Sequence, residues 1–123
     1  MSHNKQKKIA VINDFSGFGR CSISVCLPVI SAMKIQCCAL PTAIFKDCRD
    51  DMEAYAGEWK KLGLKFDGIM TGFLGSHRQI EIVERFFRDF HTTECLTLVD
   101  PVMGDYGKLY PTYSEALAKD MHE

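Results

Sequence analysis

Long apolar runs are missing from this chain. None approaches the roughly 20 residues that a membrane-spanning helix needs. The basic start, MSHNKQKK, leads straight into a short strand-like run, without the apolar stretch and small-residue cleavage site of a secretory signal. Charge of one sign is missing too: 15 Lys and Arg stand against 16 Asp and Glu, a net of -1. That balance gives no electrostatic case for a nucleic-acid or membrane partner. Six cysteines are present, at positions 21, 26, 37, 38, 48 and 95, but no C-x-x-C pair occurs and no histidine lies at ligand spacing from a cysteine. Most of them lie in apolar runs and read as buried free thiols in a cytoplasmic protein, where thiols stay reduced. His3, His77, His91 and His122 are scattered like surface residues. No Ser/His/Asp or Cys/His arrangement emerges.

What remains is a chain of 123 residues, 46% hydrophobic, the size of one domain with a real core. Lys8 to Asn13 (KIAVIN) is apolar and β-branched and predicts a strand. Asp14 to Gly19 is turn-like. Cys21 to Met33 has helical apolar spacing, which Pro28 should bend or shorten. Ile35 to Leu40 predicts a second strand. From Asp50 to Leu62 the apolar residues Met52, Tyr55, Ala56, Trp59 and Leu62 share one helical face, and Gly63 supplies a stop. Asp67 to Phe73 predicts a third strand. Ser76 and Gln79 form a capping box. The helix after it should bury Ile80, Val83, Phe86, Phe87 and Phe90, and should pair Glu81 with Arg85 and Glu84 with Arg88 on its outer face. Leu96 to Asp100 predicts a fourth strand, and T-Y-S-E at Thr112 to Glu115 a second capping box before a final short helix.

Strands alternating with helices predict an α/β fold with a mostly parallel sheet flanked by helices. Continuous apolar strands imply burial on both faces. Ligands of such sheets bind beyond the carboxyl ends of the strands. That edge carries Asp14–Gly19, Pro41–Lys46, Gly72–Ser76 and Pro101–Lys108, which hold every chemically suggestive segment.

The segment NDFSGFGRCS has Gly17 and Gly19 between a strand and a helix. Ser22 stands where a dinucleotide fingerprint has its third glycine, and no ribose-binding acid ends the second strand. Its glycines still permit close backbone approach to a ligand, or simply a tight turn. In MTGFLGS, Phe73 lies between two glycines. It is either ordinary core or a flat stacking surface for a ring. In VDPVMGD, Asp100 and Asp105 could organise Mg2+ beside phosphates or cap turn amides. The segment resembles a G-x-G-D kinase loop without matching it, because Val102 and Met103 precede Gly104.

Four segments, NDFSGFGRCSISVCLPVISAM, LPTAI, WKKLGLKFDGIMTGFLGS and VDPVMGDYGKLYP, together resemble the pyridoxal/pyridoxamine (vitamin B6) kinases of the ribokinase-like superfamily. The resemblance runs from Lys8 onward. It implies a three-layer α/β/α fold and transfer of the γ-phosphoryl of ATP to the 5'-hydroxyl of a B6 vitamer, with Mg2+ and often K+. It also implies a homodimer. By the same resemblance Asp14 and Ser16 bind substrate, with Asp14 on the ring. Phe73 stacks on the pyridine, Tyr110 lies near nucleotide or substrate, and Asp100 and Asp105 lie near the phosphates and metal ions. Phosphoryl transfer asks the protein for positioning and charge neutralisation, which suits these residue types.

Two departures qualify the implication. Members of the family carry an N-H-T-G-like lid after LPTAI, whereas Ile44 here is followed by FKDCRDD. The family's G-x-G-D loop, with its catalytic base and ATP-binding region, has no counterpart up to Glu123. The expectation is therefore that residues 1–123 are the N-terminal, substrate-side part of one kinase domain. Alone they should not catalyse transfer, and their last strand should present an edge that is normally covered. The rivals are a hydroxymethylpyrimidine kinase of the same superfamily, a non-catalytic binding module that keeps the fold, and a flavodoxin- or Rossmann-like oxidoreductase.

Overall fold

A computed structural model of the chain describes residues 5–15, 21–44 and 49–122. Among the described residues the elements run β1 (Lys8–Asn13), α1 (Ser22–Ala32), β2 (Gln36–Pro41), α2 (Arg49–Lys61), β3 (Gly68–Thr71), α3 (His77–Phe90), β4 (Leu96–Val99), β5 (Gly104–Asp105), β6 (Lys108–Leu109) and α4 (Glu115–His122), strands and helices alternating as far as β4. The first four strands make a parallel sheet in the order β2-β1-β3-β4. This is the α/β architecture expected. Among the described residues no helix is long and apolar enough to cross a membrane.

β1 occupies the centre because its residues are apolar on both faces. Val11 packs with Ile23 and Ile30 of α1. Ala10 and Ile12 face the opposite way, into a larger core built with Leu40, Met52, Ile69, Ile82, Phe86 and Phe90. Alternate strand residues point to opposite faces, so α1 covers one face of the sheet, and α2 and α3 cover the other. Trp59, Phe66, Phe86 and Phe90 interlock there, with ring centroids 4.5 to 6.2 Å apart.

Helix ends follow local chemistry. Gly63, at φ +65°, closes α2: Leu64 N–H donates to Trp59 O at 3.1 Å and Gly63 N–H to Lys60 O at 3.0 Å. That pair of bonds is a Schellman turn. Pro28 sits inside α1 without ending it. The helix before β4 starts where Ser76 predicts: Ser76 Oγ accepts from Gln79 N–H at 3.3 Å.

Several expectations need correction. In α2, Met52, Ala56 and Trp59 face the core, but Tyr55 and Leu62 are exposed. In α3 the buried set includes Ile82 and Gln79, while Ile80 and Phe87 are only half-buried. Arg85 reaches across to Glu53 of α2 at 2.8 Å, and Arg78 is the residue that bonds Glu81, also at 2.8 Å. Glu84 and Arg88 form no ion pair among the described residues. The last helix is capped by Ser114, whose Oγ accepts from Leu117 N–H at 3.1 Å, rather than by Thr112. Of the five described cysteines, only Cys95 is fully buried. The burial expected for the fourth strand also fails: Leu96 through Val99 are exposed. β4 is an edge strand, and among the described residues no helix seals the α1 side of it.

The β5–β6 hairpin was not foreseen. Its two-residue turn holds Tyr106 at φ +51° and Gly107 at φ +76°, the positive values that a type I′ turn needs. Gly104 lies so close to the partner strand that a Cβ there would meet Lys108 O at 2.0 Å.

Candidate active site

The carboxyl ends of β1, β2, β3 and β4 lie side by side, so the segments after them share one edge. Backbone pairing extends beyond the strands: Thr42 N–H donates to Asn13 O at 2.9 Å, Gly72 N–H to Ile12 O at 2.8 Å and Asp100 N–H to Thr71 O at 3.1 Å.

Buried polar side chains then knit these segments together. Asn13 ends the apolar run of β1. Its Oδ1 accepts from Asp14 N–H and from Phe73 N–H, each at 2.9 Å. Thr42 Oγ1 donates to Phe73 O at 2.9 Å. Phe73 is thus held at both its N–H and its carbonyl. Gln79, 1% exposed, donates from Nε2 to Thr42 O at 2.6 Å and accepts at Oε1 from Gly75 N–H at 2.7 Å. Tyr113 OH donates to Leu74 O, tying the segment after β4 to the same loop. Burial pushes the Tyr113 phenol up from its ordinary pKa. Sequence reasoning missed the roles of Asn13, Thr42, Gln79 and Tyr113. The available signal was Asn13: a polar residue closing an otherwise apolar strand must find partners when buried.

The expected site residues fall as follows. Phe73 is half-buried, its ring edge-on to Tyr110 at 6.3 Å and to Tyr113 at 6.1 Å. Gly75 keeps that ring's edge clear, since a Cβ there would stand 3.3 Å from it. Asp14 is half-buried at the start of α1, where Ser22 Oγ donates to its Oδ1 at 2.5 Å and Ile23 N–H donates to its carbonyl at 3.1 Å. Asp100 and Asp105 are exposed. Tyr110 OH donates to Asp105 Oδ2 at 3.0 Å. Ser16, Gly17 and Gly19 lie outside the described residues.

Tyr110 reports how these groups are gathered. Its phenol is raised above the ordinary tyrosine value, first by the hydrogen bond to Asp105, then by partial desolvation and by the charges of Asp105, Asp14 and Asp100. Asp105 thus bonds this phenol directly, and the charges of Asp14 and Asp100 reach it, beside the Phe73 ring. Such an edge repels a phosphate unless cations bridge the charges. Asp100 and Asp105 present exposed carboxylate oxygens on that edge. Among the described residues no group of three or more His, Cys, Asp or Glu could hold a metal by itself. Two carboxylates completed by water and phosphate oxygens is the usual manner of holding Mg2+.

No family model matches the chain. Solved structures do. A provisionally assigned phosphomethylpyrimidine kinase from Bacteroides thetaiotaomicron is 45% identical with a TM-score of 0.92, over 98% of this chain and 46% of its own. A second crystal form of a provisionally assigned phosphomethylpyrimidine kinase from that organism contains pyridoxal, with 44% identity and a TM-score of 0.91 over 95% of this chain and 45% of its own. A pyridoxal kinase from Lactobacillus plantarum is 26% identical with a TM-score of 0.81, over 94% of this chain and 46% of its own. The chain thus spans about half the length of the structures that it matches, and by its fold, identity and edge geometry it belongs to the ribokinase-like superfamily, in the group shared by pyridoxal and phosphomethylpyrimidine kinases.

Proposed function

We propose that this chain is the N-terminal, substrate-side part of an ATP-dependent kinase that phosphorylates the 5'-hydroxyl of pyridoxal, pyridoxamine or pyridoxine. The observation that carries the reading is the convergence of Asp14, Phe73, Tyr110, Asp100 and Asp105 on one sheet edge. The 44% identical Bacteroides protein crystallised with pyridoxal supports the choice of vitamer.

In this reading the chain positions and does not supply the base. Phe73, fixed at both ends of its peptide, offers a ring face to the pyridine. Asp14 accepts from a polar substituent of the ring, and Ser16 assists from the same turn. Tyr110 holds the Asp105 carboxylate in place by donating to it. Asp100 and Asp105 would hold Mg2+, and K+ where it is used. Bound there, the cation would neutralise charge on the transferring phosphoryl group. The remaining parts, a glycine-rich anion hole and the catalytic base, belong to the other half of such a kinase. The same reading implies a cytoplasmic homodimer, which sedimentation of the assembled enzyme checks.

A second reading has its own support: the Bacteroides match is described as a phosphomethylpyrimidine kinase, so a hydroxymethylpyrimidine is the competing substrate. Titrating the 123-residue chain with pyridoxal, pyridoxamine and hydroxymethylpyrimidine, followed by ligand absorbance, decides between them. Saturable binding of a B6 vitamer supports the proposal, and preference for the pyrimidine transfers it to the second reading. Binding of none of the three rejects both.

A further inference from the structure

Among the described residues, three other than glycine hold a left-handed backbone: Ser22 at φ +52°, Lys34 at +60° and Tyr106 at +51°. Local turns account for two of them. Lys34 closes α1, with Ile35 N–H donating to Ile30 O and Lys34 N–H to Ser31 O. Tyr106 opens the two-residue turn between β5 and β6. Ser22 opens α1, where no such conformation is called for: a chain enters a helix from extended backbone and turns right-handed inside it. Cys21, at φ -139° and ψ 163°, already makes that extended entry. Ser22 also stands where a dinucleotide fingerprint has its third glycine, a residue that would adopt this backbone without strain. A side chain is therefore kept at position 22 against a conformational cost.

The use of that side chain is visible. Ser22 Oγ donates to Asp14 Oδ1 at 2.5 Å. The helix start does not need this bond, because Ile23 N–H already donates to the carbonyl of Asp14 at 3.1 Å. Burial does not force it either: Ser22 is only half-buried, and water satisfies a hydroxyl in such a place. The bond acts on its acceptor. Asp14 is held at its N–H by Asn13 Oδ1, at its carbonyl by Ile23 and at one carboxylate oxygen by Ser22. With main chain and side chain both fixed, the carboxylate has little freedom left for a ligand to arrest. Asn13 Oδ1 also accepts from Phe73 N–H, so Asp14 and Phe73 are set against one frame.

We infer that Ser22 is a positioning residue of the substrate site: its hydroxyl fixes the plane of the Asp14 carboxylate before a heteroaromatic ring bearing an N–H or O–H donor arrives, and the left-handed backbone brings that hydroxyl within reach. This role rests on the reading of Asp14 as the group that accepts from the substrate ring. It holds for either candidate ring, since both carry such a donor.

Two substitutions delete the hydroxyl and differ in what they do to the backbone. Ser22→Gly relieves the left-handed conformation, and Ser22→Ala keeps the strain. Binding of the preferred ring, pyridoxal or hydroxymethylpyrimidine, to the 123-residue chain should weaken about tenfold in both variants, by the same factor. Their urea midpoints should differ, with Ser22→Gly the more stable. Affinity then tracks the hydroxyl while stability tracks the backbone, a split that a purely structural serine does not produce. Ser22→Asn should recover most of the affinity, because asparagine tolerates the left-handed region and its Nδ2 can donate to Asp14. Parent-like binding in Ser22→Gly, or affinity that falls only where stability falls, would overturn the inference. Failure of the unsubstituted chain to bind either ring would instead remove the role of Asp14, and that of Ser22 with it.

Discussion

Asn13 and Gly72 stand closer than any side chain at position 72 would allow: a Cβ there would fall 2.2 Å from Asn13 Nδ2 and 2.4 Å from its Cγ. The glycine is thus the space into which Asn13 turns, and Asn13 in turn holds the N–H groups of Asp14 and Phe73. Gly72→Ala should displace the Asn13 side chain and release both bonds. The expected cost is about 1–3 kcal/mol, the range for leaving buried polar groups unpaired. A double-mutant cycle checks the mechanism: once Asn13 is Ala, the Gly72→Ala change should cost markedly less, because the clash is gone. Equal cost in both backgrounds would show that the two residues act independently.

Gln79 joins two loops from within the core. Gln79→Leu keeps the volume near that of the native side chain but strands Gly75 N–H and Thr42 O. A loss of about 2 kcal/mol is expected in urea denaturation, with the slope of the transition unchanged. Amide exchange at Gly75 should accelerate in the same variant. Stability equal to the parent would mean that water replaces both bonds.

The fold was largely legible because its strands and helices are encoded locally. KIAVIN, the 3.6-residue spacing of α2 and α3, Ser76 and Gly63 each act through neighbours in sequence. What was not legible depends on contacts between distant segments. Gln79 looked like the second half of a capping box, and only the approach of the start of α3 to the segment after β2 turns it toward Thr42. Arg85 had a suitable partner in Glu81, yet α2 brings Glu53 nearer. Leu96 to Val99 looked buried because apolar strands usually are; whether a strand is central or at an edge depends on sheet order, which hydropathy does not encode. The proposed substrate residues stood out as polar or aromatic groups at strand ends. The residues that fix their positions were hidden in the apolar pattern.

Asp105 and Tyr110 allow a test that needs no turnover. The hydrogen bond to Asp105 is the first cause of the raised phenol. Asp105→Ala should therefore lower the Tyr110 pKa toward the ordinary tyrosine value, read by ultraviolet titration with Tyr110→Phe identifying the signal. Asp14→Ala should lower it less, acting through charge alone. Because Asp105 is exposed, its loss should leave the melting temperature nearly unchanged and, in the assembled kinase, raise the KM for Mg2+-ATP. An unmoved phenol would break the link between these two residues.

α1 and α2 end in the same turn with different residues at the left-handed position. In α2 the residue is Gly63, at φ +65°; in α1 it is Lys34, at φ +60°, with Ile35 N–H donating to Ile30 O at 3.3 Å and Lys34 N–H to Ser31 O at 3.0 Å. A side chain in that conformation costs roughly 1–2 kcal/mol, partly offset because glycine frees the unfolded chain. The Lys34 side chain is exposed, and its carbonyl accepts from Gln6 Nε2 at 2.9 Å, a bond that survives substitution. Lys34→Gly should therefore stabilise the protein by about 0.5–1 kcal/mol in urea denaturation. Gly63→Ala should destabilise it by a similar amount or more. No atom outside the immediate chain lies within 4 Å of the added methyl, so the cost there is conformational. A lower denaturation midpoint for Lys34→Gly would mean that the lysine side chain contributes something its exposed position does not reveal.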